Sequence, residues 1–111
     1  MVECTWQQYD SMFDALGDKT RRDILWRVSQ CELSISEIAA RYSLTFAAIS
    51  KHIKVLEKAS LVRKRRDGKE QIVSANKQTV GIATDYLKQY EKLWSDRFDR
   101  LETVLKEEYN E

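Results

Sequence analysis

The stretch Thr45-Phe46-Ala47-Ala48-Ile49-Ser50-Lys51-His52-Ile53-Lys54-Val55-Leu56-Glu57-Lys58-Ala59-Ser60, followed at once by Leu61-Val62-Arg63-Lys64-Arg65-Arg66-Asp67-Gly68-Lys69-Glu70-Gln71-Ile72-Val73-Ser74-Ala75, decides how the rest of the chain is read. Ile49, Ile53 and Leu56 recur at steps of four and three, the rhythm of an apolar stripe along a helix, and Thr45 supplies a capping oxygen. At about 100° per residue, the opposite face carries Ala47, Ser50, Lys51, Lys54 and Lys58. That face is small at its N-terminal end and cationic beyond it, so it suits close approach to a flat anionic groove. In the second run, Asp67-Gly68 between two short extended segments signals a two-residue hairpin, because a type I′ turn needs positive φ at both central positions. This turn predicts Val62 opposite Val73 and Lys64 opposite Gln71, with Arg63 and Arg65 projecting from the other face.

Upstream, Ser34-Ile35-Ser36-Glu37 reads as a capping box that opens a short helix with Ile38, Ala39 and Tyr42 inside. Ser43-Leu44 then makes a tight turn into the helix over 45–60. Two helices joined by a short turn, the second presenting a small, basic face, outline a helix-turn-helix. A basic hairpin directly after it is a wing, an element that grips phosphate or the minor groove.

Trp6, Tyr9, Phe13 and Leu16 step by three, four and three, one stripe of an amphipathic helix ending at Gly17. Asp18 caps a second helix with Ile24, Leu25 and Val28 facing inward, and the polar stretch 29–33 ends it. From 78 to 108 the chain reads as one long helix. Ala83, Leu87, Tyr90, Trp94, Leu101 and Leu105 keep a near-heptad rhythm there, widened by Tyr86, Leu93, Phe98 and Val104. One core could not cover all of that stripe together with the first helix. The two helices are therefore expected to form a dimer interface through Trp6, Tyr9, Phe13, Leu87, Tyr90, Trp94 and Leu101. The expected fold is mainly α: a winged helix-turn-helix of about five helices plus a two-stranded wing, one domain over 1–111, dimerising through its first and last helices.

At 111 residues the chain fits one compact domain. No stretch approaches the ~20 consecutive apolar residues of a membrane-spanning helix. The start, Met1-Val2-Glu3-Cys4-Thr5-Trp6, lacks a basic end followed by an apolar run, so no signal peptide is expected. Cys4 and Cys31 are too few and too isolated for a disulfide framework, which favours a reducing cytosol and a cytoplasmic protein. The net charge of +1 conceals a strong asymmetry. Residues 41–69 hold nine cations against Glu57 and Asp67, a balance of +7, while the remainder carries −6. A near-neutral protein that concentrates positive charge in this way reserves that segment for a polyanion, here double-stranded DNA.

Several elements together resemble the ArsR-type winged helix-turn-helix repressors. They are Ala15-Leu16-Gly17-Asp18-Lys19-Thr20-Arg21-Arg22, Ser36-Glu37-Ile38-Ala39, Ser50-Lys51-His52-Ile53-Lys54-Val55-Leu56, Leu61-Val62, the wing tip Asp67-Gly68-Lys69, and Trp94 followed by Arg97-Phe98 and Arg100-Leu101-Glu102. The resemblance runs from about Phe13 to Glu107 and is nearest to the subgroup that lacks metal-binding cysteines and carries a long helix with a tryptophan. It implies a homodimer that binds a palindromic operator and represses transcription. Lys19 and Ala47 stand where the family commonly has proline, and Phe46 and Ala47 replace its usual polar and proline residues. Phe46 packs on a thymine methyl group or folds back onto the domain, and the second is the expectation.

Other chemistries fit less well. Metal-sensing relatives place cysteines in the helix before the turn, where this chain has Ser34 and Ser36, whose neutral hydroxyls replace no thiolate. His52, the only histidine, has no ligand-type partners at metal spacing, so a packing or phosphate-contact role is expected and no metal. Cys4 and Cys31 as a redox pair would make the protein a thiol-responsive repressor, but neither has an evident partner that lowers its pKa. Trp26 falls on the outer side of its helix, where it covers the dimer seam or marks a ligand or partner contact; both stay open. No nucleophile–base pair, glycine-rich phosphate loop or paired carboxylates point to an enzyme or a cofactor. Asp96, Asp99, Glu107 and Glu108 read as solvated helix faces.

The expected major-groove contacts are Thr45, Phe46, Ala47, Ala48, Ser50, Lys51 and Lys54, and the expected wing contacts are Arg63, Arg65, Arg66 and Lys69. The effector is left unnamed. The competing reading is a winged-helix protein-interaction module that does not read DNA.

Overall fold

The computed structural model describes residues 5–109. Each of the first four helices begins where a side chain satisfies an amide that the helix itself leaves unpaired. Thr5 accepts from the Gln8 amide at 3.3 Å and Gln8 Oε1 accepts from the Thr5 amide at 2.7 Å, opening α1 (Trp6–Leu16). Asp18 accepts from the Arg21 amide at 3.0 Å at the head of α2 (Lys19–Gln30). Ser34 and Glu37 form the expected capping box, at 3.1 and 3.0 Å, ahead of α3 (Ile35–Ala39). Thr45 accepts from the Ala48 amide at 3.1 Å and starts α4 (Phe46–Lys58).

α4 ends two residues before the expected limit at Ser60, because Ser60 turns to φ 62°. The Ser60 amide then reaches the Glu57 carbonyl at 2.9 Å and the Leu61 amide reaches that of Leu56 at 3.0 Å, a Schellman stop. Leu56 and Leu61 are both fully buried, so the apolar contact that accompanies this stop is in place.

The sheet has three antiparallel strands in the order β1-β3-β2, with β1 at Leu33–Ser34, β2 at Val62–Asp67 and β3 at Glu70–Ala75. The expected wing lacked β1, whose two residues are too short to show alternation. The register also differs from expectation. Asp67 pairs with Glu70, so Gly68-Lys69 form the turn, and Val62 faces Ala75 while Lys64 faces Val73. Gly68 has φ 64° and Lys69 does not turn positive, the type II′ pattern with glycine at the first central position. Each partner moves by two residues, so every side chain keeps its face and Val62 and Val73 still point inward.

The core joins Ala15, Ile24, Val28, Ile38, Ile49, Ile53, Leu56, Leu61, Val62 and Val73. Burying an aliphatic side chain of this size stabilises by roughly 1.5–3 kcal/mol. In α1 the buried residues are Met12 and Ala15, while Tyr9, Phe13 and Leu16 are half-buried and Trp6 is 74% exposed.

Two polar networks hold the helices in place. Tyr42 donates to Asp23 Oδ2 at 2.5 Å, Arg27 Nε reaches the same oxygen at 3.1 Å, and the Arg27 guanidinium lies 5.7 Å from the Tyr42 ring centre. The Tyr42 hydroxyl and then Arg27 hold the Asp23 carboxyl below the usual carboxylate range. Burial, and then Asp23, push the Tyr42 phenol up. Arg21 caps the end of α1, donating to the carbonyls of Ala15 at 2.7 Å and Asp14 at 3.1 Å.

The last helix, α5 (Lys77–Tyr109), contributes its first turn to this body, with Val80 packed on the core. From Gly81 onward the helix is a compact unit of its own. Among the described residues no helix is long and apolar enough to cross a membrane.

Candidate nucleic-acid interface

The buried stripe of α4 fixes which side chains the helix shows to solvent. With Ile49, Ile53 and Leu56 inside, Ala47, Lys51, Lys54 and Lys58 are exposed and Ser50 is half-exposed. Thr45 is exposed, its hydroxyl oxygen engaged as the cap. Ala48 is half-buried beside Ile49 and therefore turns partly away from the open face. Phe46 does not fold back onto the domain as expected. It is 56% exposed, because at the first helical position it stands one turn ahead of Ile49, where the core begins.

A groove of about 360 Å³ separates α4 from the wing. Phe46, Ser50 and Lys54 line it from α4, Lys64 from β2, and Lys69 from the turn. Lys54 of the helix face and Lys64 and Lys69 of the wing thus border one shared space, which Glu70 also lines, while Lys51, Lys58, Arg63, Arg65 and Arg66 lie outside it. Lys64 was not among the expected contacts. Its side chain points inward and reaches Glu57 on α4, Nζ to Oε1 at 3.3 Å.

Arg63, Arg65, Arg66 and Lys69 are all exposed on the wing. Arg65 is also held: its Nη2 lies 2.6 Å from Glu32 Oε2, and this pairing raises the guanidinium pKa further above its ordinary value. Arg66 Nε donates to the Gly68 carbonyl at 3.3 Å and follows the turn. Among the described residues, Arg63 and Lys69 take part in no ion pair.

His52 has a packing position on the shoulder of α4. Its Nδ1 is 3.5 Å from Arg21 Nη1 and 3.9 Å from Asp18 Oδ2. The nearer contact lies at the long limit of a hydrogen bond, and the longer one exceeds hydrogen-bond range. Asp18 is held below the usual carboxylate range chiefly by the Arg21 amide. Ser34 is fully buried with its hydroxyl committed to the Glu37 amide, so it acts as a cap. Cys31 is exposed at the end of α2, and Cys4 lies outside the described residues. Trp26 is 64% exposed and borders a shallow hollow with Cys31, Leu33 and Arg41.

On α5, Leu87, Tyr90, Trp94 and Leu101 are 48–54% exposed along one stripe, with Leu93, Phe98, Val104 and Leu105 beside them.

Comparison with known proteins agrees with this geometry. Residues 16–65 match the model of a helix-turn-helix domain. The HTH-type transcriptional regulator YuzN of Bacillus subtilis is 42% identical over 78 residues, which span 64% of this chain and 85% of that protein. A crystal structure of an ArsR family transcriptional regulator superposes with a TM-score of 0.74 at 26% identity, over 85% of this chain and 97% of the other. A homodimeric winged helix-turn-helix DNA-binding domain from Mycobacterium bovis shares the fold, with a TM-score of 0.65 at 19% identity over 83% of this chain and 92% of that one. The sequence shared with YuzN, the matched helix-turn-helix and the winged fold lead to one assignment: the chain belongs to the ArsR family of DNA-binding transcriptional regulators, which is not an enzyme family.

Proposed function

We propose that this regulator is a cytoplasmic homodimeric repressor that reads a palindromic operator without a metal signal. The observation that carries the reading is the shared groove, where Ser50 and Lys54 of α4 face Lys64 and Lys69 of the wing. In this reading the N-terminal half of α4 enters the major groove. Ser50 and Lys51 lie nearest the bases, Thr45, Phe46, Ala47 and Ala48 flank them, and Lys54 is at the phosphates. Arg63, Arg65, Arg66 and Lys69 hold the backbone or the minor groove. With few polar groups at the tip of α4, the wing carries most of the affinity, and specificity comes from a small number of base contacts plus dimer spacing.

The homodimer is supported by the exposed aromatic and aliphatic stripe of α5, by exposed Trp6 on α1, and by the homodimeric neighbour of the same fold. Tyr9, Phe13, Leu87, Tyr90, Trp94 and Leu101 complete the proposed interface. Metal independence is supported by Ser34, a buried cap in a position where a sensor would need a thiolate.

Footprinting on the DNA upstream of its own gene tests the proposal. The expected result is two protected half-sites about 34 Å apart, related by two-fold symmetry, with protection insensitive to chelators. Protection of a single asymmetric site, or none, would contradict it.

A further inference from the structure

We propose that Glu32 competes with DNA for the wing: its carboxylate occupies Arg65 where a phosphate would otherwise sit, and so lowers affinity for DNA of any sequence. This inference rests on the reading of the wing as a phosphate grip. Glu32 and Arg65 are 33 positions apart, so the sheet brings them together. Ser34 of β1, Ile72 of β3 and Arg65 of β2 stand in register across the three strands, and Glu32 lies immediately before β1. The contact is close at 2.6 Å, yet the two side chains are 57% and 52% exposed, so a phosphate oxygen can reach the guanidinium and displace the carboxylate. A carboxylate and a phosphate both offer Arg charged acceptor oxygens of matching geometry, which makes them direct rivals. Arg63, two residues earlier on the same strand face, takes part in no ion pair among the described residues and has no such rival.

Displacement has a consequence for salt dependence. When Arg65 neutralises a phosphate, the DNA releases a condensed cation. The uncovered Glu32 carboxylate attracts a cation in turn, so net release falls short of a full ion.

The test is fluorescence anisotropy on a random-sequence duplex at several salt concentrations, for wild type, Glu32→Gln, Arg65→Gln and the double variant. Glu32→Gln is expected to tighten binding roughly two- to fivefold at low salt, the scale of an exposed ion pair. It should also steepen the salt slope by up to about 0.9. In the Arg65→Gln background the same change should do nothing, which separates local competition from a general gain in positive charge. Salt-dependent wild-type binding that Glu32→Gln leaves unchanged or weakens would overturn this inference alone. So would a gain that persists without Arg65. Absence of salt-dependent binding in all four proteins would overturn the DNA reading of the wing as well.

Discussion

Lys64 Nζ on β2 lies 3.3 Å from Glu57 Oε1 on α4, so an ion pair braces the wing against the helix that it flanks. The Lys64 side chain is only 19% exposed, and its inward face follows from the register that places it opposite buried Val73. Glu57→Gln should lower stability by on the order of 0.5 kcal/mol, because Glu57 itself is well solvated. The urea midpoint should fall with an unchanged m-value; a changed m-value would mean that the brace organises more than one contact.

Lys51 and Arg63 should behave differently when removed. Lys51→Ala is expected to weaken operator binding by about 1–3 kcal/mol and to relax one base position. Arg63→Ala should weaken all duplexes alike and flatten the salt slope by about 0.9. Anisotropy titrations on operator and random DNA distinguish them; equal losses on both duplexes for Lys51→Ala would remove it from base reading.

Acid should loosen the joint between α2 and the turn after α3. Asp23 is held below its ordinary value, first by Tyr42 and then by Arg27, so its folded pKa lies below its unfolded one. Its contribution is therefore complete above the unfolded value near 3.8 and is lost as pH falls through the lower folded value. Tyr42→Phe should cost about 1 kcal/mol at pH 7, where it removes a hydrogen bond to a charged but partly solvated acceptor. The gap between wild type and variant in urea unfolding should narrow as pH drops below 4; a constant gap would place the cost in packing.

Leu101→Glu should separate dimerisation from folding. The residue is 54% exposed on α5, so a charge there leaves the winged body intact while disrupting a paired apolar face. Light scattering should report a monomer with unchanged far-ultraviolet circular dichroism, and operator affinity should drop. A persistent dimer would exclude the α5 stripe from the interface.

What could be read from the sequence was what the chain specifies locally. The caps at Asp18, Ser34 and Thr45 and the stripe of Ile49, Ile53 and Leu56 depend on residues within one or two helical turns. The turn at Asp67-Gly68-Lys69 was ambiguous because glycine serves both I′ and II′ turns, and the choice between them shifts the pairing. Ser60 gave no sign of its left-handed conformation, since glycine is the usual residue at such a stop. Strand β1 carries no alternation in two residues. Within the candidate site, the exposed cations followed from periodicity and charge. Their partners did not: Glu32 meets Arg65 only once three strands align, and Phe46 is exposed because the core ends at Ile49.

If α4 and the wing act as one DNA-contacting surface, an amide chemical-shift titration with duplex DNA will show both responding to the same binding event. The expected result is a set of perturbed amides confined to the Thr45 cap, residues 46–54 of α4 and 63–70 of the wing, moving together with one saturation curve. Perturbations centred on the hollow beside Trp26 and Cys31, with α4 and the wing unmoved, would contradict it.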